Sequence, residues 1–184
     1  MRHPDLAVKE NTALVVIDYQ EKLVNMLHNP DSAVENTVRM IGFARTFQIP
    51  VVLTEHYPKG LGETIPRVQE ALPSFNPVEK RIFSCFGVPE FEEALIAAGA
   101  KNLLVCGIET HVCVSQTVHD ALARGYKVHV VREACGTRFE SDHLAGLAKM
   151  DRSGAILATT EMVMYEIVER ADTEDFKLLL KLVK

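Results

Sequence analysis

The chain has 184 residues, of which 47% are hydrophobic and 24% are charged, and its formal net charge is −5. This length predicts one domain over residues 1–184, and the apolar content excludes a disordered chain. The acidic balance, with no basic run longer than Lys80-Arg81, argues against a nucleic-acid partner, because such proteins need a basic face for the phosphates.

Six short apolar runs, most of them unbroken and rich in Val, Ile and Leu, predict strands that are covered on both faces and therefore a parallel sheet. In chain order, the predicted strands are Thr12–Asp18, Pro50–Glu55, Val78–Lys80, Asn102–Ile108, Lys127–Val131 and Ala155–Thr159. Helical spacing of apolar residues fills the intervals between them. The predicted helices are Ser32–Phe47, Pro89–Ala98, Thr110–Arg124, Phe139–Arg152 and two short helices within Glu161–Lys184.

This alternation of strands and helices predicts a three-layer α/β/α domain with a six-stranded, mostly parallel sheet. The stretch Tyr57–Pro77, which is rich in Pro and Gly, is predicted to be an irregular loop beside the strand ends, where loops often have a functional role.

No apolar segment is long enough to be an export signal or to cross a membrane, which takes roughly 20 residues. The sequence therefore predicts a cytoplasmic protein without a membrane partner. Four cysteines are present, and none of them forms a Cys-x-x-Cys pair, so neither a zinc knuckle nor a thioredoxin-type motif is predicted. A reducing compartment would keep all four as thiols.

Three reactive side chains follow three different predicted strands, and the carboxyl ends of strands are where an open parallel sheet binds ligands. Asp18 follows the first strand, Lys80 ends the third, and Cys113 follows the fourth. Each residue has an ordinary structural interpretation as a helix cap, a solvated charge or a small core residue. Their convergence at one edge of the sheet is what favours a functional site.

Cys113 is the predicted nucleophile. If Thr110 is the N-cap of the next helix, Cys113 lies in the first turn, where free amides and the helix dipole lower the pKa of a thiol. A neighbouring Lys80 would lower that pKa further. Asp18 could accept the thiol proton and return it to a leaving group, while the free amides bind an oxyanion. The sequence contains no Asp-x-Asp at Asp18, no Gly-x-Gly-x-x-Gly after the first strand and no Gly-x-Ser-x-Gly elbow.

Three motifs together resemble the isochorismatase-like cysteine hydrolases. They are Asp18-Tyr-Gln20 after an apolar strand, Lys80 before Phe83-Ser84, and Gly107-Ile-Glu-Thr-His-Val-Cys113-Val114. The resemblance extends from about Asn11 to the last helix, and it is greatest to the small isochorismatase-domain proteins.

The resemblance implies an Asp18–Lys80–Cys113 catalytic triad, a cis peptide between Ile108 and Glu109, and an oxyanion hole formed by the amides of Glu109 and Cys113. It also implies a homo-oligomer. Substrate-pocket candidates are Tyr19, Gln20, His56, Phe83, Phe86 and His111.

Metal binding is not expected. Nicotinamidases of this family bind a metal through an Asp-x-His after the second strand and a later His. This sequence has His56 and Pro58 at the corresponding positions, so neither a metal nor another cofactor is predicted.

The predicted function is hydrolysis of a C–N bond in a small amide-like molecule through a thioester on Cys113, with Asp18 moving the proton and Lys80 holding the charge. Two alternatives remain open. One is vinyl-ether hydrolysis with Asp18 as the acid and no covalent step. The other is a non-catalytic or redox protein in which Cys113 senses oxidants or the pocket only binds a ligand.

Overall fold

A computed structural model describes residues 2–183 of the chain. Met1 and Lys184, the ends of the predicted domain and of the last predicted helical segment, lie outside the described residues. Six strands form one sheet with the order β3-β2-β1-β4-β5-β6. The strands are β1 Thr12–Ile17, β2 Val51–His56, β3 Val78–Lys80, β4 Asn102–Ile108, β5 Lys127–Gly136 and β6 Ile156–Ala158. All neighbouring pairs are parallel, which confirms the predicted sheet.

Helices cover both faces of the sheet. They are α1 Glu21–Val24, α2 Pro30–Thr46, α3 Pro58–Leu61, α4 Pro66–Ala71, α5 Pro89–Ala97, α6 Ser115–Ala123, α7 Glu140–Arg152, α8 Thr160–Val168 and α9 Glu174–Leu179. One core contains buried side chains of α2, α4, α8 and α9, and the other contains those of α5, α6 and α7. The three-layer α/β/α prediction is therefore confirmed. Within residues 2–183, no helix is both long and apolar enough to cross a membrane.

Strand β1 shows why the predicted strands were unbroken apolar runs. Its residues are buried throughout, and they alternate between the two cores. Leu14 and Val16 enter the core beneath α2, while Ala13, Val15 and Ile17 enter the core beneath α5 and α6. Because successive side chains point to opposite faces, a strand that is covered on both faces consists mainly of apolar residues.

Strand β5 is longer than predicted. Val130 and Cys135 of β5 pair with Val105 and Gly107 of β4, so β5 has three more residues than β4 between these two pairs. The extra residues form a bulge in which Arg132 and Glu133 are exposed to solvent. These two charged residues interrupt the apolar run, which is why the sequence pattern ended the strand at Val131.

The stretch 57–77 is not wholly irregular as predicted, because it contains α3 and α4. Both helices begin with a proline, Pro58 and Pro66. Proline is well suited to the first helical position, where its missing N–H would have no partner in the helix. Short helices of this kind have too few residues for a helical spacing pattern to reveal them.

Gly107 lets β4 pass close to two elements that hold the reactive side chains. A Cβ atom at this position would lie 2.5 Å from Ile17 Cβ and 3.0 Å from Val114 Cγ2. Ile17 immediately precedes Asp18, and Val114 immediately follows Cys113. A side chain at residue 107 would therefore push the two reactive residues apart.

We expect Gly107→Ala to reduce the free energy of unfolding by about 1–3 kcal/mol, because it overpacks a closed site. Urea denaturation measures the change. Gly42→Ala is the matched control: it lies inside α2, and the nearest atom to its new Cβ is Leu182 Cδ2 at 3.8 Å. The control should be neutral or stabilising by up to about 1 kcal/mol. Equal stability of Gly107→Ala and the unmodified protein would contradict the close approach.

Candidate active site

The carboxyl edge of the sheet brings the three predicted catalytic residues together. Lys80 Nζ lies 2.6 Å from Asp18 Oδ2 and 3.5 Å from Cys113 Sγ. Asp18 is 0% exposed, Lys80 is 2% exposed and Cys113 is 6% exposed. β3 is two strands away from β1, so the lysine side chain reaches past the end of β2 to meet the carboxylate.

Asp18 is held in a tight turn at the end of β1. Its φ is 56°, in the left-handed region that Asp and Asn enter more easily than most residues. Its amide donates to the carbonyl of Thr54 at 3.2 Å, and its carbonyl accepts from the amide of Gln20 at 2.7 Å. The carboxylate is bound at both oxygens, since Oδ1 accepts from Thr54 Oγ1 at 2.7 Å and Oδ2 accepts from Lys80.

Lys80 remains an ammonium in this buried place. Burial lowers its pKa, but the nearby charge of Asp18 and the sulfurs of Cys113 and Cys85 more than offset that effect, so the pKa is raised overall. The ammonium also lies 3.5 Å from His56 Nδ1. Burial and the charge of Lys80 lower the pKa of His56, so the imidazole is neutral at pH 7 and Nδ1 accepts the lysine hydrogen.

Cys113 lies in a single π-helical turn, Thr110–Val114, that joins β4 to α6. Thr110 is not the N-cap as predicted; Glu109 holds that position, and Thr110 Oγ1 instead donates to the carbonyl of Gly136 at 3.2 Å. The peptide bond between Ile108 and Glu109 is cis. Cys113 nevertheless lies in the first turn, as expected.

The predicted low pKa of Cys113 is wrong. Burial, followed by the negative charge of Asp18, raises the pKa of the Cys113 thiol to about 12, and the opposing effect of Lys80 is smaller. The sequence argument included the helix end and Lys80, but the spacing of motifs does not reveal burial. Cys113 is therefore a neutral thiol at rest.

The carbonyl of Glu109 accepts from the amides of Val112 and Val114, on either side of Cys113. Within residues 2–183, no backbone carbonyl beyond the turn accepts from the amides of Glu109 or Cys113. The Glu109 side chain points to Arg138, whose Nε donates to Oε1 at 2.8 Å.

Of the predicted pocket residues, His56 and Phe83 lie beside Lys80. Their rings stack with centroids 5.7 Å apart and planes inclined by 17°. Phe83 is 50% exposed, so an aromatic face is available to solvent next to the triad. Gln20 supports this region from behind: Nε2 donates to the carbonyls of His56 and Gly62, and Oε1 accepts from the amide of His56.

Tyr19 and Phe86 do not line the site, contrary to the prediction. The Tyr19 hydroxyl donates to the carbonyl of Ala134 at 2.7 Å within the core beneath α2, because the turn at Asp18 sends the next side chain to the opposite face. Phe86 packs edge-on against Phe91 of α5, with ring centroids 5.0 Å apart.

His111 also lies away from the triad. Its Nε2 is 3.7 Å from Asp142 Oδ2 of α7, so the ring occupies the space between the π-helical turn and that helix. One residue, Val112, separates it from Cys113 along the turn, and this places the two side chains on different sides.

Sequence reasoning missed Thr54, which bonds directly to Asp18. A pattern that could have revealed it is present: Thr54 is an uncharged polar residue inside a strand predicted to be buried on both faces, where a hydroxyl needs a partner. In residues 2–183, no three His, Cys, Asp or Glu side chains are arranged to hold a metal ion.

A known family model and curated proteins both match most of the chain. The family model for the isochorismatase domain matches residues 12–162. Isochorismatase domain-containing protein 2A of Mus musculus is 38% identical over 176 residues, which are 95% of this chain and 84% of that protein.

Solved structures share the fold over nearly the whole chain. The MAR1 ribonuclease from Caenorhabditis elegans is 37% identical with a TM-score of 0.90, covering 97% of this chain and 92% of that one. YcaC from Pseudomonas aeruginosa, solved with hexane-2,5-diol and covalent acrylamide, is 27% identical with a TM-score of 0.90, covering 99% and 93%. The Escherichia coli YcaC gene product, described as an octameric hydrolase of unknown specificity, is 24% identical with a TM-score of 0.90, covering 99% and 92%.

A domain match that runs from β1 into α8, together with this identity along the chain, shows that the protein belongs to the isochorismatase family.

Proposed function

We propose that the protein is a cysteine hydrolase that cleaves the C–N bond of a small amide-like molecule through a thioester on Cys113. Membership of the isochorismatase family supports a hydrolase. The observation on which the proposal depends is that Lys80 Nζ contacts both Asp18 Oδ2, at 2.6 Å, and Cys113 Sγ, at 3.5 Å. The cation thus contacts both the base and the thiol.

The reaction begins when Asp18 accepts the Cys113 proton as Sγ attacks the substrate carbonyl. The carbonyl oxygen becomes an oxyanion, and the amides of Glu109 and Cys113 bind it. The C–N bond then breaks as Asp18 returns the proton to the leaving nitrogen, which leaves a thioester. Water attacks the thioester, its proton passes to Asp18 and then to Sγ, and the acid is released.

The high pKa of Cys113 determines when the thiol ionises. A thiol whose pKa is raised to about 12 is un-ionised in nearly all molecules at pH 7. Proton removal must therefore accompany attack on a bound substrate. A cytoplasmic location, which we also propose, would keep this thiol reduced between turnovers.

The relatives give different indications about substrate size. The covalent acrylamide in Pseudomonas aeruginosa YcaC supports a nucleophile that reaches small amides in this fold. The name of the Caenorhabditis elegans protein suggests RNA. RNA is disfavoured here, because a polyanion would have to approach a chain with a net charge of −5 and a triad that is at most 6% exposed. We therefore propose a small-molecule substrate bound against His56 and Phe83.

Vinyl-ether hydrolysis with Asp18 as the acid is the second candidate. The raised pKa of Cys113 favours this route, because it leaves the thiol neutral at rest and the route does not use the thiol as a nucleophile. The two routes differ in whether the sulfur forms a bond to the substrate.

On the thioester route, Cys113→Ala and Asp18→Asn should each reduce turnover by about 10³-fold or more, since the members of a triad act as a unit. Release of ammonia or amine from a panel of small amides and ureides provides the assay, with mass spectrometry to detect the trapped thioester. Cys106→Ala, in the core beneath α2, is the matched control and should remain active. An active Cys113→Ala beside an inactive Asp18→Asn would favour the vinyl-ether route.

We also expect Asp18→Asn to make Cys113 easier to ionise. The negative charge of Asp18 contributes to the raised pKa, so its removal stabilises the thiolate and lowers that pKa. The pH at which iodoacetamide alkylation of Cys113 is half-maximal should therefore fall, as measured by peptide mass spectrometry. Cys135 is the control in the same digest, because burial without Asp18 raises its pKa to about 12. A shift of both cysteines together, or of neither, would contradict the assignment.

We propose a homo-oligomer, since the related Escherichia coli protein is an octamer. Light scattering at micromolar concentration should return a mass that is a multiple of the 20.5 kDa of one chain. A mass equal to that of one chain would exclude this proposal.

A further inference from the structure

A second group of buried hydrogen bonds lies behind the triad. Thr54 Oγ1 donates to Asp18 Oδ1 at 2.7 Å, and Cys85 Sγ lies 3.9 Å from the same hydroxyl. We propose that Thr54 is a positioning residue that fixes the orientation of the Asp18 carboxylate for proton transfer from Cys113. The inference rests on the proposed function, because it assigns a role in the proton transfer by Asp18.

The hydrogen bonds of this group have one direction. The Thr54 hydroxyl has a single hydrogen, and a carboxylate can only accept, so that hydrogen points to Asp18 Oδ1. The Cys85 thiol must then be the donor in its longer contact with Thr54 Oγ1. Burial and the charge of Asp18 raise the pKa of Cys85 to about 11, so its proton is present at neutral pH. Its amide is fixed by Thr117 Oγ1 at 3.0 Å.

This direction binds both carboxylate oxygens. Oδ1 accepts from the Thr54 hydroxyl, and Oδ2 accepts from Lys80 Nζ, which also contacts Cys113 Sγ. Thr54 and Lys80 therefore hold the carboxylate at its two oxygens and fix its orientation beside the cation that contacts the thiol.

Thr54 holds the main chain of Asp18 as well as its side chain. It lies on β2 opposite Ile17, and its carbonyl accepts the amide of Asp18 at 3.2 Å. Thr54 and Asp18 are both 0% exposed, so no water competes for these bonds. A residue that only filled space here could be Val, which has the same shape without the hydroxyl. The comparison of Thr54→Val with Thr54→Ser thus separates positioning from packing.

We expect Thr54→Val to reduce kcat for the amide substrate by about ten- to hundred-fold, with KM changed less than about threefold. Thr54→Ser keeps the hydroxyl and should restore most of kcat, a rescue that a purely space-filling role of Thr54 would not give.

Thr37→Val is the matched control. Thr37 is 0% exposed, and its hydroxyl donates to the carbonyl of Ala134 at 3.4 Å in the core beneath α2. It should leave kcat close to that of the unmodified protein. If Thr54→Val does not fold, Thr54→Ala removes the same hydroxyl and gives the same readouts.

An unchanged kcat in Thr54→Val or Thr54→Ala, an equal loss of kcat in Thr37→Val, or no recovery of kcat in Thr54→Ser would overturn the inference. Cys113→Ala, assayed in parallel, keeps this result separate from the proposed function. An inactive Cys113→Ala with an unchanged kcat in the Thr54 variants overturns only the role of Thr54. An active Cys113→Ala overturns the thioester route and, with it, the transfer of the Cys113 proton to Asp18.

Discussion

The buried ion pair of Asp18 and Lys80 is the interaction on which the rest of the site depends. Both side chains are fully buried, and their charged atoms are 2.6 Å apart. Removing one partner of such a pair leaves an uncompensated charge that costs several kcal/mol, so the two residues can only be accommodated together. The bonds to Thr54, His56 and Cys113 then use most of the remaining hydrogen-bonding capacity of the pair.

The same pair determines the resting state of the thiol. Burial and the negative charge of Asp18 raise the pKa of the Cys113 thiol, and the positive charge of Lys80 lowers it. Because His56 and Cys113 are both neutral, the resting site holds one negative and one positive charge in contact. Such a site is stable without a ligand, and a substrate carbonyl can enter it without displacing a charged nucleophile.

Much of the fold could be predicted from the sequence, because unbroken apolar strands that alternate with helices have few alternatives to a covered parallel sheet. The meeting of Asp18, Lys80 and Cys113 follows from the same rule, since the carboxyl ends of parallel strands share one edge. The directions of side chains beyond the strand ends were not predictable. Tyr19 turns away because of a left-handed residue before it, and Thr110 bonds to a distant strand; neither fact is contained in motif spacing.

Lys80 lies on β3, an edge strand that is one of the two shortest strands of the sheet. β3 has three residues, and its ladder pairs only Val78, Glu79 and Lys80 with β2. Among the described residues, 2–183, no strand pairs with its outer side. Marginal strands with few hydrogen bonds open locally at a lower free energy than central ones, without unfolding of the whole molecule. Each opening of β3 would withdraw the ammonium from Asp18, so the fraction of molecules with an intact ion pair is governed by this local equilibrium, and a ligand that binds the closed arrangement would protect the strand.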